Sequence, residues 1–160
     1  MVFVWYSFYF GSGVNKSVGA RRLGRVNALK ALYLIDIKTS LNQEEIFELI
    51  NSGTVDSSVK EFTGSLVKGS IENLDIIDKY ISKHAINWEL ERMAVIDRNI
   101  MRIATFEMLK LVETPINVII DEAVEIAKEY STAESGKFVN GVLDKVKEVR
   151  TIQNEPVKTN

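Results

Sequence analysis

From residue 20 onward, apolar side chains recur every three or four positions and show no sustained two-residue alternation. That is the period of a helix, and it excludes a sheet-based core. Pro115 and Pro156 are the only prolines in 160 residues, so long helices meet few breakers. The spacing predicts helices over about residues 20–37, 42–50, 56–82, 96–112, 115–130 and 134–149, with a short amphipathic piece opened by Trp88. Six or seven helices on short connections, without an internal repeat, make an all-α globular bundle. A doubly wound nucleotide-binding fold needs a sheet, and none is signalled.

Local chemistry sets several of these boundaries. Glu44 and Glu45 suit the positive end of a helix dipole, and Asn51-Ser52-Gly53 stops that helix. Thr114 followed by Pro115 reads as a capping threonine with proline at the first helical position. Gly64 and Gly69 fall inside the long 56–82 stretch, where each marks a bend or a close helix approach. Asn140-Gly141, in the middle of the last helix, is expected to admit a neighbouring helix at the glycine and to give the asparagine a partner there.

The length suits one domain. Residues 20–150 form its helical body, residues 1–19 a non-core aromatic and glycine-rich extension, and residues 151–160 a loose polar tail. Met1 to Phe10 reads MVFVWYSFYF. It is shorter than the roughly 20 residues of a membrane helix and lacks a basic leader and a small-residue cleavage pattern, so neither insertion nor export is expected. The absence of cysteine excludes disulfides and thiolate metal sites and fits a cytoplasmic protein. His84 is the sole histidine, too few for a histidine metal cluster, and its polar surroundings predict a surface residue. Asp121, Glu122, Glu125 and Glu129 lie opposite an Ile/Ala stripe and read as a solvated face. No phosphate-binding glycine loop and no catalytic constellation occurs, so no cofactor, metal or enzymatic activity is expected.

Charge supplies the functional signal. The first acidic residue is Asp36, and before it stand Lys16, Arg21, Arg22, Arg25 and Lys30, so the opening 35 residues carry +5 and the remaining 125 carry −7. A compact basic cluster on an acidic body is the electrostatic footprint of a phosphate-backbone binder. On a helical wheel Arg22 lies within about 20° of the direction of Leu29 and Tyr33. A guanidinium does not simply continue an apolar stripe, and Gly19 and Gly24 weaken the first turn. Arg22 is therefore expected in solvent, available for bidentate phosphate contact. Tyr33 has two readings, a ring for base stacking and a core side chain beside Val26 and Leu29.

Four segments, in order, resemble the NusB family of transcription antitermination factors. They are Arg21-Arg22-Leu23-Gly24-Arg25 with Ala28-Leu29-Lys30-Ala31-Leu32-Tyr33; Trp88 through Arg102-Ile103-Ala104-Thr105-Phe106-Glu107-Met108-Leu109; Pro115 with Ile120-Asp121-Glu122-Ala123-Val124-Glu125-Ile126-Ala127-Lys128; and Lys137-Phe138-Val139-Asn140-Gly141-Val142-Leu143-Asp144. The resemblance implies two packed three-helix bundles and no enzymatic activity. It implies binding of single-stranded boxA-type RNA together with NusE, a small-subunit ribosomal protein, while the RNA polymerase elongation complex transcribes ribosomal RNA. The family's arginine-rich motif maps onto Arg21, Arg22 and Arg25, its terminal tyrosine onto Tyr33, and a partner- or RNA-facing region onto Glu134 and Lys137. Gly24, Asp121 and Ser131 depart from the family's usual residues. Two alternatives stand beside this reading. One is an RNA-binding domain related to those of ribosomal RNA cytosine methyltransferases, although no glycine-rich cofactor loop follows. The other is a helical interaction module whose homodimer masks the basic surface.

Overall fold

The computed structural model describes residues 19–153. The aromatic leader, Lys16 and residues 154–160 lie outside the described residues. Eight α-helices occur among the described residues: α1 (Ala20–Asp36), α2 (Gln43–Asn51), α3 (Ser57–Glu72), α4 (Leu74–His84), α5 (Val95–Lys110), α6 (Ile116–Tyr130), α7 (Ala133–Val146) and α8 (Glu148–Gln153). A 3-10 turn, Leu90–Arg92, precedes α5, and no strand occurs among the described residues. Helices α1, α2 and α3 pack together as one bundle; α5, α6 and α7 form the core of the second, with α4 alongside. Helix α5 is the shared element, since α1, α3, α4, α6 and α7 all pack on it.

Caps explain several boundaries. Asn42 accepts the Glu45 amide at 2.9 Å while the Glu45 carboxylate accepts the Asn42 amide at 2.8 Å, a reciprocal capping box that starts α2. The Asp56 carboxylate accepts the Ser58 amide at α3, and Thr132 accepts the Ser135 amide at α7. Helix α1 starts on Gly19 with no side-chain cap and no acidic residue in its first turn. Its basic opening therefore receives no local compensation.

The expected single helix over 56–82 is two helices. The chain breaks at Asn73, whose side-chain amide donates to the Gly69 carbonyl at 2.8 Å and competes with the helical ladder. Gly69 faces the Phe106 ring and Gly24 faces the Phe62 ring, where a Cβ would stand 2.6 Å from Cδ1. These are the close approaches, whereas the one expected at Gly141 is absent: no atom lies within 4 Å of a Cβ built there. Asn140 is likewise exposed, so that pair faces outward. Pro115 is itself the N-cap of α6, displacing Thr114 from the expected capping position.

The body also ends later than residue 150, because α8 runs to Gln153. Arg150 fixes it. Its guanidinium donates to the carbonyls of Glu107, Met108 and Leu111 at the end of α5 and to that of Thr114, at 2.7 to 3.3 Å. The Glu107 and Leu111 carbonyls also accept the Leu111 and Thr114 amides, so Arg150 adds a second donor to them and ties α8 to the end of α5. His84 is mostly covered rather than a plain surface residue, 2.9 Å from a Glu148 carboxylate oxygen.

Candidate nucleic-acid interface

The five expected basic residues do not form one uniform patch. Lys16 lies outside the described residues. Arg21 is exposed at the first turn of α1, its guanidinium 4.2 Å from the centroid of the Phe62 ring. That stacking orients the charge and leaves its hydrogen-bond donors outward. Beside it opens a cleft of about 410 Å³ bordered by Ala20, Ser58, Phe62, Ser65 and Thr114, with Glu61 and Glu113 at its edge.

Arg22 is half-buried and carries a partner the sequence did not suggest. Its Nε and Nη2 donate to the two carboxylate oxygens of Glu122 on α6, both at 2.8 Å. The expectation of a solvent-held Arg22 is corrected by this clasp, and so is the reading of Glu122 as part of a freely solvated face. Hydrogen bonding to Glu122 raises the pKa of the guanidinium, with further contributions from the charges of Glu122, Glu125 and Glu129. In return, Arg22 holds the Glu122 carboxyl below its ordinary range despite partial burial.

Arg25 is inside the protein, only 5% exposed. Its Nε and Nη2 each donate at 2.8 Å to the Glu107 carboxylate, which is 1% exposed. Glu122 approaches Arg25 Nη1 from the other side at 3.9 Å. The expectation that Arg25 meets a phosphate directly is therefore corrected. Its Nε/Nη2 edge is turned to Glu107 on α5 and Nη1 faces Glu122 on α6, because buried charges are tolerable only when paired and hydrogen-bonded.

Lys30, two turns after Arg22 on α1, is partly buried, and burial lowers its pKa while Glu129 opposes that effect. Arg22 feels the charge of Glu122 and Lys30 that of Glu129, so charged residues of α1 and α6 oppose each other in the same chain order, and both helices pack on α5. Tyr33 is partly buried against Ala31, Leu34 and Ile46. Its ring contributes to a core and is partly accessible.

Glu134 and Lys137 are both well exposed and pair with each other at 2.9 Å on the first turn of α7. No contact joins them to the arginines among the described residues. Just behind them, Ser135 Oγ donates to Asp97 at 2.8 Å, tying the start of α7 to α5. Trp88 and Phe138 adjoin them with ring centroids 5.7 Å apart, and Trp88 is exposed.

The NusB family model matches residues 22–148, which spans both bundles and the arginine-bearing helix. This chain belongs to the NusB family. The transcription antitermination protein NusB of Elusimicrobium minutum (strain Pei191) is 42% identical over 135 residues, covering 83% of this chain and 96% of that one. Among solved structures, T. maritima NusB shares 44% identity at a TM-score of 0.74, covering 80% of this chain and 90% of its own. A complex described as antitermination factors NusB and NusE with dsRNA contains a chain 26% identical, with a TM-score of 0.73 and coverage of 81% and 96%. No helix among the described residues is long and apolar enough to cross a membrane, and none of their carboxylates and histidine group as a metal site.

Glu107 and Phe62 are the NusB-fold residues that sequence reasoning missed. Glu107 was signalled, because it falls four residues after Ile103 and three after Ala104 on the apolar stripe of α5. A carboxylate on a core stripe demands a cation, and Arg25, within about 20° of Leu32 on the α1 wheel, is the one that supplies it.

Proposed function

We propose that this chain is a transcription antitermination factor that binds single-stranded boxA-type RNA jointly with NusE while RNA polymerase transcribes ribosomal RNA. The observation that carries it is the match to antitermination proteins over nearly their whole length. The exposed basic edge at the front of α1 agrees with it. Arg21, Arg22 and Lys30, together with Lys16 ahead of them, supply phosphate contacts, and the accessible part of Tyr33 offers a stacking face. Arg25 holds the scaffold beneath. Glu134 and Lys137 belong to a second surface that meets the protein partner or the RNA. The protein works by binding in the cytoplasm, without catalysis.

Fluorescence anisotropy with a boxA-type RNA and a scrambled control, each with and without NusE, tests this. The boxA-type RNA should bind more tightly, and NusE should strengthen the preference. With about four phosphates neutralised on a single strand, log affinity should fall against log salt with a slope near −3. Equal affinity for both RNAs in the presence of NusE, or a flat salt response, would overturn the reading.

A further inference from the structure

Arg22 offers a phosphate the same donors it already gives to Glu122. Both N–H groups on one edge of its guanidinium are engaged at 2.8 Å, and a phosphate would use that edge in the same two-pronged way. The pair is accessible, the side chains being 34% and 21% exposed, so an incoming polyanion can reach it. Glu125 and Glu129 follow Glu122 along α6 by three and seven positions, so a released guanidinium remains beside negative charge. Arg25 Nη1 lies 3.9 Å from the Glu122 carboxylate, so Glu122 keeps a cation beside it when Arg22 leaves.

We propose that Glu122 is a built-in competitor of RNA for Arg22, and that the clasp sets the affinity threshold of the basic edge. In the free protein Arg22 is occupied. RNA engages it by displacing one carboxylate with one phosphate oxygen pair, so the contact adds less than an unpaired arginine would. Glu122 therefore lowers affinity for any RNA strand laid along α1 and leaves selection to base contacts. This rests on the RNA-binding reading above.

The test is RNA affinity in a double-mutant cycle, with the same two labelled RNAs and the full chain. Glu122→Gln should tighten binding of both by about three- to tenfold, while adding Glu122→Gln to Arg22→Ala should gain less than twofold. Glu122→Asp retains the charge but withdraws the carboxylate, and it should tighten binding in the same direction. Glu72→Gln, an equal charge change remote on α3, should leave affinity within twofold. Circular dichroism melting identifies folded variants, and the Asp and Gln substitutions serve as independent routes should one fail to fold. Specific binding by the wild type with no gain in either Glu122 variant overturns the competitor alone. An equal gain without Arg22, or an equal gain from Glu72→Gln, does the same. A wild type that binds neither RNA, with or without NusE, overturns both this proposal and the functional reading.

Discussion

Arg22 and Arg25 stand three positions apart in one arginine-rich motif, yet they have different tasks. Position on the helix decides this. Arg25 points at α5 and is buried against Glu107, so losing it strands a carboxylate in the core. Arg25→Met should lower stability by about 3–5 kcal/mol in urea unfolding, whereas pairing it with Glu107→Leu should restore most of the loss. If the double variant is as unstable as the single one, the pair is not the reason Arg25 is there. Gly24, between them, faces Phe62, so Gly24→Ala should cost about 1–3 kcal/mol by forcing that ring aside. The ring also lies under Arg21, and RNA affinity should fall in the same variant. An unchanged melting temperature would show that Phe62 moves freely. The basic cluster itself was legible from charge order along the chain. Its division into exposed and buried members was not, because that depends on Glu107 and Glu122, 82 and 100 residues away from their partners.

At the scale of helices, three-to-four periodicity located every long element, because packing on α5 demands an apolar stripe from each. Connections were less legible. The break at Asn73 lies within an uninterrupted apolar pattern, and an asparagine's choice between a helical position and a bond to the preceding turn depends on what packs nearby. Asn140-Gly141 misled in the opposite direction, since a glycine within a helix permits a close neighbour without requiring one. Helix α8 was missed because it is too short to show periodicity; buried Val149 and the polar contacts of Glu148 and Arg150 hold it. Four backbone carbonyls meet Arg150, so Arg150→Ala should release α8 and loosen the end of α5. The expected loss is about 1–3 kcal/mol, since hydrogen bonds from a charged donor exceed neutral ones. Faster amide hydrogen exchange at Leu111 and Thr114 checks it, and Arg150→Lys should rescue little because one ammonium cannot span four carbonyls.

Across the whole molecule, opposite charges stabilise the junction between bundles. Asp36, at the end of α1, accepts hydrogen bonds from Arg98, Asn99 and Arg102 on α5, while Arg102 also grips Asp78 on α4. Burial alone would push the Asp36 carboxyl up, but these donors and the two guanidinium charges outweigh it and hold its pKa below the ordinary 3.8. A carboxyl whose folded pKa is depressed contributes stability that is present above its unfolded pKa and is lost as pH falls through the folded value. Glu122, held down by Arg22, acts in the same direction from the other side of α1. Stability should therefore decline as the pH falls below about 4, through loosening of α1 from α5. Asp36→Asn should be less stable than the wild type near pH 7, because it leaves two arginines short of a counter-charge. The wild type loses that advantage on protonation, so the two urea-unfolding curves should converge as pH falls from 5 toward 2. A stability gap of constant size across that range would show that Asp36 acts through shape and neutral hydrogen bonding rather than through its charge.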